Sequence, residues 1–135
     1  MSEAAVKKYG LEHQAVEIVA QAMTSAMPGV NELEKTNSMK VAGYESSAEA
    51  ARQVYAKSGV KPEEVDVVEL HDCFSANELV TYEALQLCPV GGAGEFIDNG
   101  DNTYGGKVRS TRFFSSSFRI FLEDLENKVY SVGCG

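Results

Sequence analysis

His71 and Cys73 stand one residue apart in the run Leu70-His71-Asp72-Cys73-Phe74. On an extended segment, side chains alternate between faces, so both project to the same side and can share one pocket. A thiol does its chemistry as thiolate, and a neighbouring imidazolium or helix N-terminus lowers its pKa from about 8.5. Cys73 has the imidazole beside it and, if a helix begins just downstream, the helix N-terminus as well. The same residue types also have structural uses: a strand-end histidine that bonds a carbonyl, and a free cysteine that packs as a small hydrophobe. Spacing alone leaves both uses open, together with a small Cys/His hydrolase.

The flanking residues say what must hold this pair. Val65, Val67, Val68 and Leu70 form a β-branched, apolar run that predicts a central strand covered on both faces. Ser75 followed by Glu78 has capping-box spacing and predicts a helix from Ser75 to about Leu87, stopped by Pro89. His71-Asp72-Cys73 then falls at the carboxyl end of a buried strand, where open α/β sheets place ligands and catalytic groups.

Further helices and strands are predicted around this corner. Ser2–Tyr9 carries a serine cap, Glu3 early, Lys7 and Lys8 late and Gly10 beyond, the order of a short helix. Ala15–Met23 reads as a strand, with His13 solvated in the loop before it. Thr24–Glu45 is polar, with Pro28, Gly29, Asn31, Asn37 and Gly43, and predicts an irregular excursion of the kind that forms binding or surface loops. Ser46–Ser58 predicts a helix: Ser46 and Glu49 repeat the capping box, Ala50, Ala51, Val54 and Tyr55 form the apolar stripe, and Gly59 ends it. Helix, buried strand and helix in succession predict an α/β fold with a parallel, layered sheet and flanking helices. Between Gly91-Gly92-Ala93-Gly94 and the turn residues after Asp98, Glu95-Phe96-Ile97 reads as a brief strand.

Composition and motifs exclude several function classes. The chain has 135 residues, one domain's worth, and a formal charge of −8, which disfavours nucleic acid or an anionic membrane surface as partner. Residues 1–107 hold eight Lys/Arg against seventeen Asp/Glu, so the acidity lies there rather than in residues 108–135. No apolar run approaches the roughly 18 residues of a membrane-spanning helix. Cys73, Cys88 and Cys134 are an odd number behind an N-terminus without a secretory signal, which predicts reduced, intracellular thiols. Cys88, at a helix C-terminus without a neighbouring base, reads as a packing residue. The glycines do not continue into a phosphate loop, and Arg109 stands where an EF-hand that began at Asp98 would need its bidentate Glu. No His/Cys cluster suggests zinc.

Three runs carry a resemblance: Val65 to Ser75, Asn77 to Pro89 and Gly100 to Lys107. Together with Lys7-Lys8-Tyr9-Gly10-Leu11 and Glu49-Ala50-Ala51-Arg52, they make residues 1–107 similar to thiolases of the sterol carrier protein x type, the 3-oxoacyl-CoA thiolases of peroxisomal lipid oxidation. His71-Asp72-Cys73-Phe74 is the specific part, because it stands where other thiolases carry Asn-Glu-Ala-Phe. The resemblance implies a partial thiolase-like fold, incomplete relative to the family and spanning the end of the amino half and the start of the carboxy half. It also implies acyl-CoA and CoA as substrates without another cofactor, dimerisation between thiolase subunits, and a peroxisomal location, although Val-Gly-Cys-Gly at the end is no peroxisomal address. By the same resemblance, His71 forms part of an oxyanion hole and Cys73 is the acid/base at the substrate α-carbon. The family's cysteine nucleophile motif and Gly-His-Pro motif are not in this sequence, which predicts an acyltransferase fragment that is inactive alone. The alternative is a non-catalytic interaction or acyl-CoA-binding module acting with a full-length thiolase. Lipid transfer belongs to a further carboxy-terminal domain of that family.

The likeness stops at Lys107. In the divergent tail, residues 108–135, Phe118, Phe121, Leu122, Leu125 and Val129 recur at helical spacing, so Ser117–Lys128 reads as an amphipathic helix. The simplest origin for that tail is an alternative end without a selected role.

Overall fold

The computed structural model describes residues 1–25, 38–71, 74–113, 117–122 and 128–134. Most of the excursion expected over Thr24–Glu45, the pair Asp72 and Cys73, and the 123–127 part of the expected tail helix lie outside the described residues.

Local cap chemistry sets the first elements. Helix α1 (Glu3–Tyr9) starts where Ser2 Oγ accepts from the backbone N–H of Ala5, and it ends at Gly10, whose φ of 65° suits a residue without Cβ. Strand β1 (Glu17–Thr24) follows as the β-branched residues predict. Ser38–Val41 forms one turn, helix α2, inside the region expected to be irregular. Helix α3 (Tyr44–Ser58) comes next and ends at Gly59, φ 76°, as its sequence predicts. Strand β2 (Val67–His71), helix α4 (Ser75–Ala84), helix α5 (Ala93–Asp98) and strands β3 (Arg109–Phe113), β4 (Ser117–Leu122) and β5 (Lys128–Cys134) complete the order.

The five strands make one sheet in the order β1-β5-β4-β2-β3. The sheet is mixed rather than parallel. β2 and β3 run parallel, as a strand–helix–strand crossover requires, and β1 and β5 do too, but β4 is antiparallel to both β2 and β5. β2 is interior, with β4 on one side and β3 on the other.

One apolar core joins this sheet to its helices. Ala20 and Ala22 of β1 and Ala50 and Ala51 of α3 are small enough for close approach, and Val54, Val68, Leu70, Tyr82, Leu85, Phe96 and Val108 fill the space between. The rings of Tyr82 and Phe96 meet with centroids 5.3 Å apart and tilted by 56°. Along β2, Val68 and Leu70 are buried, whereas Val67, Glu69 and His71 are half-buried. The strand is therefore not sealed on both faces as its valines suggested: two of its five positions are polar, and they share one face.

Several other expectations are corrected. Both predicted capping boxes are put to different use. Helix α3 starts after Gly43, and Ser46 instead ties the helix to β1: its hydroxyl donates to the Ser25 carbonyl, and its carbonyl accepts from Thr24 Oγ1 at 2.8 Å. Glu49 turns forward to Arg52 and Gln53, with Arg52 Nη2 donating at 2.7 Å, and these bonds hold its carboxyl down at about 2. Helix α4 starts after Phe74 without a side-chain cap, and it stops at Ala84, with Gln86 turning at φ 60° before Leu87 is reached. Glu95-Phe96-Ile97 lies in α5 rather than a strand, because one helical turn places Ala93 and Phe96 together in the core. The helix expected over Ser117–Lys128 is absent from the described residues there, which form β4 and the start of β5. Phe, Ile and Leu in succession and the Val-Tyr-Ser-Val run suit a pleated ladder, and β4 and β5 pair from Ser117–Gly133 to Leu122–Lys128.

A strand–helix corner as candidate functional site

β2 carries His71 to its carboxyl end, in register with Phe113 of β3, and α4 begins four residues later at Ser75. The strand end and the helix N-terminus expected to flank the reactive pair are thus both present. The imidazole is half-buried; its Nδ1 is fully buried and has no hydrogen-bond partner among the described residues. The backbone carbonyl of His71 accepts from Asn77 Nδ2 at 2.9 Å. Asn77 is itself fixed: its N–H donates to the Phe74 carbonyl at 2.7 Å, and its carbonyl accepts from Thr81 Oγ1 at 2.7 Å. Phe74 stands at the mouth of the corner and is 75% exposed. Cys73 lies between these fixed points in sequence, outside the described residues.

Behind the corner runs a buried polar chain. The Tyr82 hydroxyl donates to Glu78 Oε1, and Asn102 Nδ2 donates to the Tyr82 oxygen at 3.2 Å. Glu78 is 6% exposed and Tyr82 is fully buried, so this chain ties the first turns of α4 to the turn that leads into β3. Sequence reasoning assigned Glu78 to a cap and passed over Asn77. The signals available were the four-residue spacing from Glu78 to Tyr82 and an amide one turn into a helix that follows a strand directly.

Cys88 stands apart from this corner, as its reading as a packing residue requires. It lines a groove of about 630 Å³ at the other end of α4, together with Tyr44, Glu63, Glu83, Leu87 and Val90. Burial, and then the Glu83 carboxylate, push its thiol pKa up. The folded state therefore holds the proton more tightly, so the thiol form is favoured below the ordinary thiol range and that preference costs stability as the pH rises above it. Iodoacetamide labelling followed by peptide mapping should find Cys88 slower in the folded chain at pH 8 than in urea, and Glu83→Gln should speed it. Equal rates in folded and unfolded chain contradict this environment.

Comparison with known proteins follows this geometry. A family profile described as thiolase C-terminal domain-like matches residues 28–111. Sterol carrier protein 2 of Oryctolagus cuniculus is 58% identical over 106 residues, 78% of this chain and 19% of that protein. Non-specific lipid-transfer protein-like 2 of Caenorhabditis elegans is 44% identical over 97 residues, 72% of this chain and 23% of that one. Benzoylsuccinyl-CoA thiolase subunit BbsB of Thauera aromatica is 46% identical over 67 residues, 50% of this chain and 17% of that subunit. The chain thus spans about a fifth of the length of the curated relatives it matches.

Proposed function

This chain belongs to the thiolase C-terminal domain-like family, and from that premise we propose that it carries the acyl-CoA-facing corner of a 3-oxoacyl-CoA thiolase. In such a reaction the bond between the α- and β-carbons breaks, the acyl group passes to a cysteine nucleophile, and the electron pair is left on the α-carbon of the departing thioester. In this reading His71 donates to the thioester oxygen, where that pair delocalises. A preorganised donor at a developing oxyanion is the term that dominates acyl-transfer catalysis. Cys73 returns the proton to the α-carbon, a task that requires a thiol titrating near working pH. The observation that carries this reading is His71 itself: a half-buried imidazole held at the carboxyl end of an interior strand, directly ahead of a helix N-terminus.

The 135-residue chain by itself is proposed to be inactive, because its sequence supplies neither the nucleophile motif nor the Gly-His-Pro histidine of the family, and catalytic groups that act as a unit lose most of their power when one is missing. Pairing with a thiolase subunit and a peroxisomal address belong to the same proposal. Among the described residues no helix is long and apolar enough to cross a membrane.

The chain has two histidines, His13 and His71, which makes imidazole NMR a direct test. Titration with a 3-oxoacyl-CoA should shift the His71 resonances and leave those of His13 in place. The same mixture with CoA should show no loss of substrate above the blank. A His71 signal indifferent to acyl-CoA sinks the site assignment, and CoA-dependent turnover sinks the inactivity.

A further inference from the structure

We propose that Asn77 is the positioning residue for His71, acting through the hydrogen bond that its side-chain amide donates to the His71 backbone carbonyl. The inference rests on the reading of His71 as the oxyanion donor. The sheet holds the end of β2 from one side: the ladder with β3 runs through to His71, whereas the ladder with β4 covers only Val67 to Glu69. The imidazole supplies no anchor through Nδ1, which has no partner among the described residues. Among the described residues, the side chain that grips the backbone of residue 71 is Asn77, whose Nδ2 donates to the His71 carbonyl at 2.9 Å.

The grip is itself rigid. Asn77 sits in the first turn of α4, its own N–H and carbonyl both bonded, and the bond to His71 spans six residues of sequence and closes the corner. It fixes how far the strand end stands from the helix N-terminus. Chemistry narrows the choice of residue. The contact needs an N–H donor on a short stem: Asp has the stem without the donor, Ser has a shorter reach, and Ala has neither.

Asn77→Asp and Asn77→Ala in the full chain test this, with His13 as internal control. Both variants should move the His71 imidazole cross-peaks and leave those of His13 unchanged. Both should also raise the rate of diethyl pyrocarbonate modification at His71 relative to His13 about fivefold, the factor that corresponds to one ordinary hydrogen bond. If Asn77→Asp matches the parent while Asn77→Ala does not, the amide serves only as filling and the proposal is overturned. If both variants unfold, the parent chain decides: Asn77 side-chain amide protons protected from exchange support the bond, and protons exchanging at the free rate refute it. None of these readouts needs acyl-CoA, so a failed titration at His71 would sink the proposed function without touching this result, and the reverse holds.

Discussion

A chain ending at Lys107 should show no cooperative unfolding transition. That cut removes β3, β4 and β5, which are three of the five strands. It also separates the two that remain. β1 and β2 are not neighbours in the sheet and are joined only through β5 and β4, so the cut leaves β1 without its ladder partner and β2 without either of its own. Helix α3 packs on β1 and β5 together and would keep half of its platform. The buried Val108 goes as well. A domain of this size holds a net stability of about 5–15 kcal/mol, and each buried backbone group stripped of its partner costs about 1–3 kcal/mol, so losing several ladders at once exceeds what the domain has. Urea titration by circular dichroism should give a sloping, non-sigmoidal curve for residues 1–107 and a sigmoid for the full chain. A sigmoid of similar midpoint from the short chain would mean that β4 and β5 are not the middle of the sheet.

That expectation runs against the tail as its sequence reads, and the reason is physical. Helix α1 was legible because Ser2, the charge order and Gly10 act within a few residues of one another. The corner was legible for the same reason: the Val65–Leu70 run and the residues around Ser75 are local signals for a strand and a helix. What β4 and β5 do depends on partners far away in sequence, Val67 with Phe121 and Gln21 with Ser131, and no local period reports a register. Phe118, Phe121 and Leu122 fit a helical stripe as well as a strand, and the ladder decided between them. The capping boxes failed differently. Ser46 and Glu78 have the right spacing, but other partners compete for each, Ser25 and Thr24 from the β1 end for the first and Tyr82, one turn along the same helix, for the second. Residue type placed His71 at the corner; the amide early in the following helix was there to be read, but that it turns back to the His71 carbonyl is a three-dimensional fact.

Replacing Gly106 with alanine should cost about 3 kcal/mol or more, the upper end for forcing atoms into a packed site. The Cβ would lie 2.3 Å from the Gly100 carbonyl oxygen and 2.7 Å from the Asp101 carbonyl carbon and oxygen. These are main-chain atoms, so no rotamer change relieves the contact. Nor can the backbone withdraw easily. The Gly106 N–H donates to the Thr103 carbonyl at 2.9 Å, Val108 N–H donates to the Asp101 carbonyl at 2.8 Å, and Lys107 pairs with Asp101 at 2.8 Å. Asn102 of the same turn reaches the buried Tyr82 hydroxyl, so displacement is passed to α4 as well as to β3, whose Phe113 is in register with His71. Gly105 supplies the control. Its φ of 87° strains any side chain, but a Cβ there meets nothing within 4 Å, so Gly105→Ala should cost only the left-handed penalty of about 1–2 kcal/mol. Urea midpoints ordered parent, Gly105→Ala, Gly106→Ala are the expected result, with the His71 imidazole peaks displaced in the last variant. Equal midpoints for the two alanine variants would show that the turn is not packed against its own backbone and that it does not hold the β3 side of the corner in place.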